Sequence, residues 1–380
     1  MTIFSDLERT EIEPADHLIS QFDYLNASAR PEAAQVRTVL EDMVSRYPAP
    51  YRTALVRRIR SRNDGLHNGA VFELILHDLL IRQGFQVVEI EPRLPNGRSP
   101  DFLVETPNGS RFYLEATLAW GDSGTDPGAD RRMRDALEAI DRVQSPNFFL
   151  SVHPHGMPRS QVAVGRLRRD VQSFTSGLDY DATLVAFEAN LPLPTYNFEH
   201  DGLRIRIEVV PKNTRGTGGR AIATRMLPGG LINPHLSIKS AIEGKAGRYG
   251  ALDLPYVVAV NAFDPFARSE SAIEALFGTE AVVTREDGPR FEMIRNPNGV
   301  WQGLGGPVYT RVSAVLSTER LSAWDLAQRS MRVILNPWAT KPLHDAPFGV
   351  DSVNVVNERL VRTPGLTLRE ILDLPAGWPE

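Results

Sequence analysis

The spacing of apolar residues between positions 66 and 118 predicts one helix followed by three strands. Apolar side chains recur every three or four positions over Leu66–Gln83, as on one face of an amphipathic helix, and a glycine follows directly, as is typical of helix ends. β-Branched and aromatic residues dominate Phe85–Ile90 and Arg111–Leu118. Asp101–Glu105 is a shorter run of the same kind, and Pro107-Asn108-Gly109 predicts a hairpin turn after it.

Helical and strand patterns alternate along the rest of the chain, so the sequence predicts an α/β (α+β) fold with a central mixed sheet flanked by helices. Further helices are predicted over residues 32–62, 130–143, 159–174 and 236–249. Further strands are predicted over residues 147–153, 182–188, 203–211, 256–262, 312–316 and 332–336. Residues 346–380 are predicted to be a tail with one short helix.

Composition and charge exclude several classes of protein and of functional site. The 380 residues carry a formal net charge of −5 and include no cysteine, which excludes a disulfide framework, a Cys-ligated zinc site and a thiol nucleophile. No window approaches the run of about 18 apolar residues that a membrane span needs. The N-terminus lacks the basic start and apolar run of a signal peptide, so we expect a cytoplasmic protein that does not enter the membrane.

The basic residues are mostly arginines, and some of them are concentrated in two stretches of the chain. Four of the 42 are lysines, and the others are arginines. Two arginine-rich stretches contain no acid, Met43–Asn63 and Gly156–Arg169, and local basic surfaces of this kind can bind phosphates whatever the net charge. A solvated helix face is the alternative. The candidate nucleic-acid contacts, two of them in the glycine-rich segment KNTRGTGGR, are Arg57, Arg58, Lys212, Arg215 and Lys239.

Three acids stand where an acid is locally unfavourable. Glu115 interrupts the apolar strand Arg111–Leu118, and an isolated carboxylate there is costly unless it is paired or holds a cation. Asp101 begins the neighbouring strand of the predicted hairpin, so the two carboxylates can approach each other. Glu73 lies at the edge of the apolar stripe of the preceding helix. Gathered carboxylates with oxygen-only ligation suit Mg²⁺ or Mn²⁺.

These residues carry a family resemblance. The stretch GAVFELILHDLLIRQGFQVVEIEPRLPNGRSPDFLVETPNGSRFYLEATLA resembles the PD-(D/E)XK, or restriction-endonuclease-like, nuclease superfamily, in which a helical Glu, a Pro-Asp at a strand start and a Glu-x-Lys on the next strand form the site. Glu73, Pro100-Asp101 and Glu115 match these positions. The resemblance implies that Asp101 and Glu115 bind Mg²⁺ or Mn²⁺, and that Glu73 completes the site or holds a water.

The same resemblance implies a restriction-endonuclease-like sheet and a domain organisation. Residues 1–62 would be an N-terminal helical, Arg-rich region, residues 63–345 a nuclease domain with a large insertion at about 120–235, and residues 346–380 the tail. The helix and strand predicted within residues 130–153 compete with those at 236–262 for the later part of the core, so the position of the insertion stays open at this point.

One position departs from the family pattern. The lysine of Glu-x-Lys should fall at position 117, and this chain has Thr117, whose hydroxyl cannot replace a positive charge. A lysine from elsewhere must then reach the site, or the site is inactive. On the predicted helix 236–249, Lys245 shares a face with Ile238, Ile242 and Tyr249, whereas Lys239 lies away from that face. We therefore predict that Lys245 supplies the missing cation.

The sequence thus predicts a metal-dependent nuclease that hydrolyses phosphodiester bonds of nucleic acid, with DNA as the expected substrate and defence against foreign DNA as an expected role. Its catalytic residues would be Glu73, Asp101, Glu115 and Lys245. A homodimer is expected by analogy. Two alternatives stay open: a catalytically inactive nuclease-like module that binds nucleic acid or a partner, and a structural protein in which the three acids pair with arginines.

Overall fold

The computed structural model describes residues 2–13, 19–120, 127–189, 191–212, 215–216, 222–225, 234–264, 267–284, 291–344 and 348–379. The helices are α1 (Gln21–Ala27), α2 (Pro31–Arg46), α3 (Ala49–Ile59), α4 (Asp64–Arg82), α5 (Pro127–Asp141), α6 (Val164–Ser176), α7 (Tyr180–Glu188), α8 (Pro234–Ala246), α9 (Ser269–Phe277) and α10 (Leu368–Ile371). The strands are β1 (Gln86–Ile90), β2 (Phe102–Glu105), β3 (Arg111–Ala119), β4 (Phe148–His155), β5 (Thr195–His200), β6 (Leu203–Pro211), β7 (Ile222–Arg225), β8 (Tyr256–Ala262), β9 (Glu280–Thr284), β10 (Phe291–Arg295), β11 (Gln302–Gly303), β12 (Gly306–Pro307), β13 (Ala314–Glu319), β14 (Arg332–Leu335), β15 (Asp351–Val356) and β16 (Arg359–Thr363).

The described chain forms two compact units. Unit 1 contains the described residues up to 120 and from 234 onward, and unit 2 contains those from 127 to 225. Unit 1 is built on an eight-stranded sheet in the order β1-β2-β3-β8-β13-β14-β15-β16. β8 pairs in parallel with β3 and with β13, β14 pairs in parallel with β15, and the other neighbours are antiparallel. The predicted mixed sheet flanked by helices is confirmed.

Helices cover both faces of this sheet because its central strands are apolar on both sides. Every residue of β8 is buried, as is typical of a strand enclosed between two layers. Leu114 of β3 packs in the core that contains α4, whereas Tyr113 packs in the core that contains α8 and α9. Since side chains alternate along a strand, Glu115 points to the side of α8. The sheet thereby separates α4 from α8 and leaves β3 between them.

Among the described residues up to 62, the first helix begins at Gln21, and Pro48 separates the two longer helices, α2 and α3. Both helices contribute to the core shared by α4 and the sheet, through side chains such as Leu40, Leu55 and Ile59. The region therefore belongs to the same compact unit as the sheet. No helix among the described residues is both long enough and apolar enough to cross a membrane.

The prediction of a tail over residues 346–380 is wrong, because β15 and β16 form the far edge of the main sheet. The turn between them places Asn357 and Glu358 in the left-handed region, with φ values of 49° and 62°. Glutamate rarely adopts that conformation, so the sequence carries no clear hairpin signal there. The short helix predicted within this segment is α10.

The strand predicted over residues 182–188 is also wrong, because this segment is the helix α7. The side chain of Asp179 caps the helix by accepting a hydrogen bond from the backbone N–H of Ala182 at 3.0 Å. This mostly apolar segment of seven residues fits either state by periodicity, and the cap favours the helix.

Unit 2 contains a four-stranded sheet in the order β5-β6-β4-β7. β6 pairs antiparallel with both β4 and β5, and β7 pairs parallel to β4. Alternate residues of β4 and β6, among them Leu150, Val152, Ile205 and Ile207, pack against apolar side chains of α5 and α6. Unit 2 therefore has an apolar core of its own, between one sheet face and two helices.

Candidate functional site

The hairpin of β2 and β3 holds Asp101 against β3. Phe102 pairs with Leu114 in the antiparallel register, which places the preceding residue, Asp101, beside the centre of β3. One carboxylate oxygen, Oδ2, accepts a hydrogen bond from the backbone N–H of Ala116 at 2.6 Å. The other oxygen, Oδ1, has no hydrogen-bond partner among the described residues. Asp101 and Glu115 therefore lie on adjacent strands at the same level, as predicted.

Glu115 is 2% exposed, and its carboxylate contacts residues of α8 and of the turn that follows α8. The amine Nζ of Lys245 lies 2.5 Å from Glu115 Oε1, and the phenol of Tyr249 donates to Oε2 at 2.5 Å. Arg248 is more distant, with Nη1 3.8 Å from Oε1. The structure thus brings Lys245 to the carboxylate that the motif lysine would have accompanied, whereas Thr117 lies two residues further along β3.

The electrostatic environment of Asp101 favours its protonated form. Burial raises the pKa of Asp101 to about 8, and the negative charges of Glu115 and Glu73 contribute further. The N–H of Ala116 and the charge of Lys245 act in the opposite direction but do not cancel it. A second cation near Asp101 would therefore restore the carboxylate at neutral pH.

Glu73 is engaged by a different set of partners. Its carboxylate is 6% exposed and accepts two hydrogen bonds from Arg58, from Nη1 to Oε2 at 2.6 Å and from Nη2 to Oε1 at 2.9 Å. The phenol of Tyr47 donates to Oε1 at 2.7 Å, and burial together with the charge of Glu73 raises the pKa of this tyrosine. In this arrangement Glu73 is the partner of a forked arginine, so we place it outside the metal-binding pair.

The residues present fit a hard cation through two side chains. Among the described residues, no group of three or more His, Asp or Glu side chains could hold a metal ion. Asp101 has an oxygen without a partner among the described residues, Glu115 has lone pairs beyond its two hydrogen bonds, and the carbonyl of Ala116 directly follows Glu115 in sequence. Two carboxylates and a carbonyl are the oxygen donors that Mg²⁺ accepts while keeping several waters.

The five predicted nucleic-acid contacts are divided between the two units, and most of them already have partners within their own unit. Arg57 is exposed on α3, while Arg58 donates hydrogen bonds to the carboxylate of Glu73. Lys239 donates to the carbonyl of Asn298 at 2.7 Å. Lys212 is 3% exposed, with its amine 5.0 Å from the centre of the Phe149 ring, and Arg215 pairs with Asp181 and lies over the ring of Tyr180. Arg57 is thus the one member of this set with no hydrogen bond or ion pair to a described residue.

Sequence reasoning missed two tyrosines of this site. Tyr249 shares the inward face with Lys245 in the helical pattern, and this signal could have identified it as a partner of Glu115. Tyr47 carries no such signal, since it lies between α2 and α3 and its partner Glu73 is 26 residues away in sequence.

Replacing Asp101 with asparagine should stabilise the metal-free protein at alkaline pH. The pKa of Asp101 is about 8 in the folded chain and near 3.9 when unfolded, so its contribution to stability is complete below about pH 4 and is lost as pH rises through 8. Asparagine keeps an oxygen acceptor for the N–H of Ala116 without a charge. We expect Asp101→Asn to be about 2–4 kcal/mol more stable than wild type at pH 8.5.

Urea unfolding in EDTA between pH 4 and pH 8.5 measures this difference. The advantage of the variant should shrink steadily towards pH 4, since the folded wild type is then protonated as well. Parallel stability curves for the two proteins over the whole range would contradict the assignment of a raised pKa to Asp101.

Replacing Arg58 with methionine should destabilise unit 1. The change leaves Glu73 buried with Tyr47 as its remaining donor, and breaking a buried ion pair costs about 3–5 kcal/mol. Because the Arg58 side chain is 38% exposed, we expect a smaller loss of about 2–3 kcal/mol. The matched control is Arg57→Met on the same helix, which should change the free energy of unfolding by less than about 0.5 kcal/mol. Equal urea midpoints for the two variants would contradict this role of Arg58.

Comparison with protein-family models, with curated proteins and with solved structures gave no match. The case for function therefore rests on the geometry of Asp101, Glu115 and Lys245.

Proposed function

We propose that this protein is a metal-dependent nuclease that hydrolyses phosphodiester bonds, with DNA as its substrate. The observation that carries the proposal is the contact between Lys245 and Glu115 at 2.5 Å, beside the buried carboxyl of Asp101. A lysine from a separate helix thereby lies beside Glu115, which supports a catalytic role for it in a chain where Thr117 replaces the lysine of the PD-(D/E)XK pattern. An acid with a raised pKa, such as Asp101, beside a cation is also typical of catalytic sites.

Asp101, Glu115 and the carbonyl of Ala116 would hold Mg²⁺ or Mn²⁺. When bound, such an ion lowers the pKa of a water ligand and neutralises charge on the phosphate. The remaining roles in the reaction belong to side chains of the protein. Lys245 places a positive charge where the attacking water and a phosphate oxygen meet, and Tyr249 fixes the orientation of Glu115. The water oxygen bonds to phosphorus and loses a proton to solvent, while the leaving ester oxygen separates and takes one up.

The order of elements in unit 1 supports a restriction-endonuclease-like core. Helix α4 precedes the antiparallel strands β1, β2 and β3, and β8 then pairs in parallel with β3 after α8. In this proposal unit 2 is an insertion between β3 and α8, the elements that carry Glu115 and Lys245. Fold alone does not establish activity, so the proposal depends on the site.

One observation favours a second candidate, a nuclease-like module that binds nucleic acid without cutting it. Both oxygens of Glu115 already accept hydrogen bonds, and the described residues contain no three-residue metal-binding group. In that case Lys245 would neutralise Glu115 permanently. Binding without cleavage by the wild type, with either Mg²⁺ or Mn²⁺, would favour this module.

A cleavage assay tests the proposal. Wild-type protein is incubated with supercoiled DNA, linear duplex, single strands and RNA, in Mg²⁺, in Mn²⁺ and in EDTA. We expect cleavage that needs the metal and that disappears in Asp101→Asn, while the variant keeps its fold by circular dichroism. Undiminished cleavage by that variant would overturn the site, and binding of DNA without any cleavage would leave the non-cutting module.

A further inference from the structure

Unit 2 carries a group of exposed arginines that the proposed site does not use. The arginine surface consists of Arg159, Arg166, Arg168 and Arg169, all exposed, in a stretch from residue 156 to residue 169 that contains no acid. Three of the four lie on α6, and Arg159 precedes that helix, where its backbone N–H donates to the carbonyl of Asp201 at 3.0 Å. All four arginines therefore lie on folded backbone, three on α6 and one in the segment before it.

The phase of α6 explains why these side chains face solvent. Leu167 and Val171 pack into the core of unit 2, and Val162 anchors the segment just before the helix. Arg169 lies opposite these apolar residues, and Arg166 and Arg168 project from the two flanks of that side. The core of unit 2 thus fixes the direction in which the arginines project.

Nearby acids do not neutralise this surface. The side chain of Arg166 is 76% exposed, and its Nε lies 3.5 Å from Oδ2 of Asp170. The same oxygen also accepts a hydrogen bond from the phenol of Tyr196. Arg169 bonds to the carbonyl of Gly165 in its own helix, which consumes no charge. Arg168 makes no ion pair or hydrogen bond with any described residue. Among the described residues, Asp170 is thus the one acid that forms an ion pair with these four arginines.

The start of α6 adds to the positive potential of the same surface. Ala163 precedes the helix and provides no side-chain cap, although the N–H groups of Val164 and Arg166 donate to the backbone carbonyls of Val162 and Ala163. A side chain at Gly165 would meet no neighbouring atom, so the first turn is open to an approaching group. The helix dipole places partial positive charge at this end, next to Arg166.

We propose that the arginine surface of unit 2 binds the phosphate backbone of the nucleic acid that unit 1 cleaves, an inference that rests on the proposed function. Arginine forks match phosphate oxygens and stay charged at all relevant pH values. In this proposal the nucleic-acid contacts of unit 2 lie on and before α6 and not at Lys212 and Arg215, which already have partners. Since unit 2 is inserted between β3 and α8, binding here raises the local concentration of substrate for the same chain.

The test is nucleic-acid binding by the full chain. The variant Arg166→Gln/Arg168→Gln/Arg169→Gln is compared with wild type by fluorescence anisotropy on labelled duplex DNA, with Ca²⁺ in place of Mg²⁺ to prevent cleavage. We expect the variant to bind about 100-fold more weakly at 0.1 M salt, and its plot of log K against log salt to be shallower by about 2–3, because each phosphate contact contributes about 0.9.

A matched control and a small substrate separate this inference from the proposed function. The control Arg359→Gln/Arg362→Gln/Arg369→Gln removes the same charge from unit 1 and should bind DNA like wild type. Hydrolysis of bis(4-nitrophenyl) phosphate in Mn²⁺ should be equal in all three proteins. Equal DNA affinity of the α6 variant and the control would overturn the arginine surface and leave the proposed function intact. Absence of both DNA binding and hydrolysis in wild type would overturn the proposed function itself.

Discussion

Lys245→Met should lower kcat for DNA cleavage by about 10²- to 10³-fold, the effect of removing one preorganised charge from a site of this kind. The lysine amine contacts Glu115 at 2.5 Å, and the described part of the site holds no other lysine. Methionine keeps the length and apolar character of the side chain but removes the charge. Because the proposal has the lysine act on the reacting water and phosphate, we expect little change in KM or in DNA affinity measured in Ca²⁺.

Single-turnover cleavage with saturating protein measures this effect separately from binding. The control is Lys239→Met on the same helix, where the amine donates to the carbonyl of Asn298 and is remote from Glu115 in helical phase. A second variant, Lys245→Met with Thr117→Lys, returns a lysine to the family position on the Glu115 face of β3 and should regain part of the lost rate. Equal rates for Lys245→Met and Lys239→Met would contradict the catalytic role of Lys245.

Glu115→Gln should have a larger effect, with cleavage reduced by at least about 10³-fold, equivalent to about 4 kcal/mol of lost transition-state stabilisation. Glutamine has nearly the same shape and can still bond to Tyr249, so the fold should survive. It lacks the negative charge that a divalent cation needs, and the charge of Lys245 would then repel the metal.

Two measurements separate loss of metal from loss of fold in Glu115→Gln. Cleavage rates are recorded against Mn²⁺ concentration, and the unfolding midpoint is recorded with and without Mn²⁺. We expect Mn²⁺ to raise the midpoint of wild type and not that of the variant, because an ion that binds only the folded state stabilises it. A variant that is fully active at higher Mn²⁺, and stabilised by it, would show that Glu115 is not a required ligand.

The parts of the site that lie on regular elements could be predicted from sequence. The carboxylates of Asp101 and Glu115 meet because a short hairpin pairs their strands, and a hairpin is a local feature with a turn signal. Lys245 was identified by helical phase, which fixes the direction of a side chain once the helix exists. The strands β6 and β8 were predicted at their observed bounds for the same reason, since alternation or a continuous apolar run marks them clearly.

Contacts that depend on packing between elements could not be predicted. The stretch Met43–Asn63 holds six arginines, and nothing in the pattern shows that Arg58 is the one that turns inward to Glu73. The pairing of Arg215 with Asp181 depends on α7 being a helix, and the sequence predicted a strand there. Each of these contacts changes the chemical role of a charged side chain. The structure therefore changed the predicted roles of these arginines more than their predicted positions.

Diffraction from crystals soaked in Mn²⁺, with the anomalous signal of the metal, tests the central claim most directly. The account predicts one strong peak within coordination distance of carboxylate oxygens from both Asp101 and Glu115, with the Lys245 amine still beside Glu115 and with Glu73 still bonded to Arg58. A peak elsewhere in the chain, or an unoccupied site at Mn²⁺ concentrations that support cleavage, would contradict it.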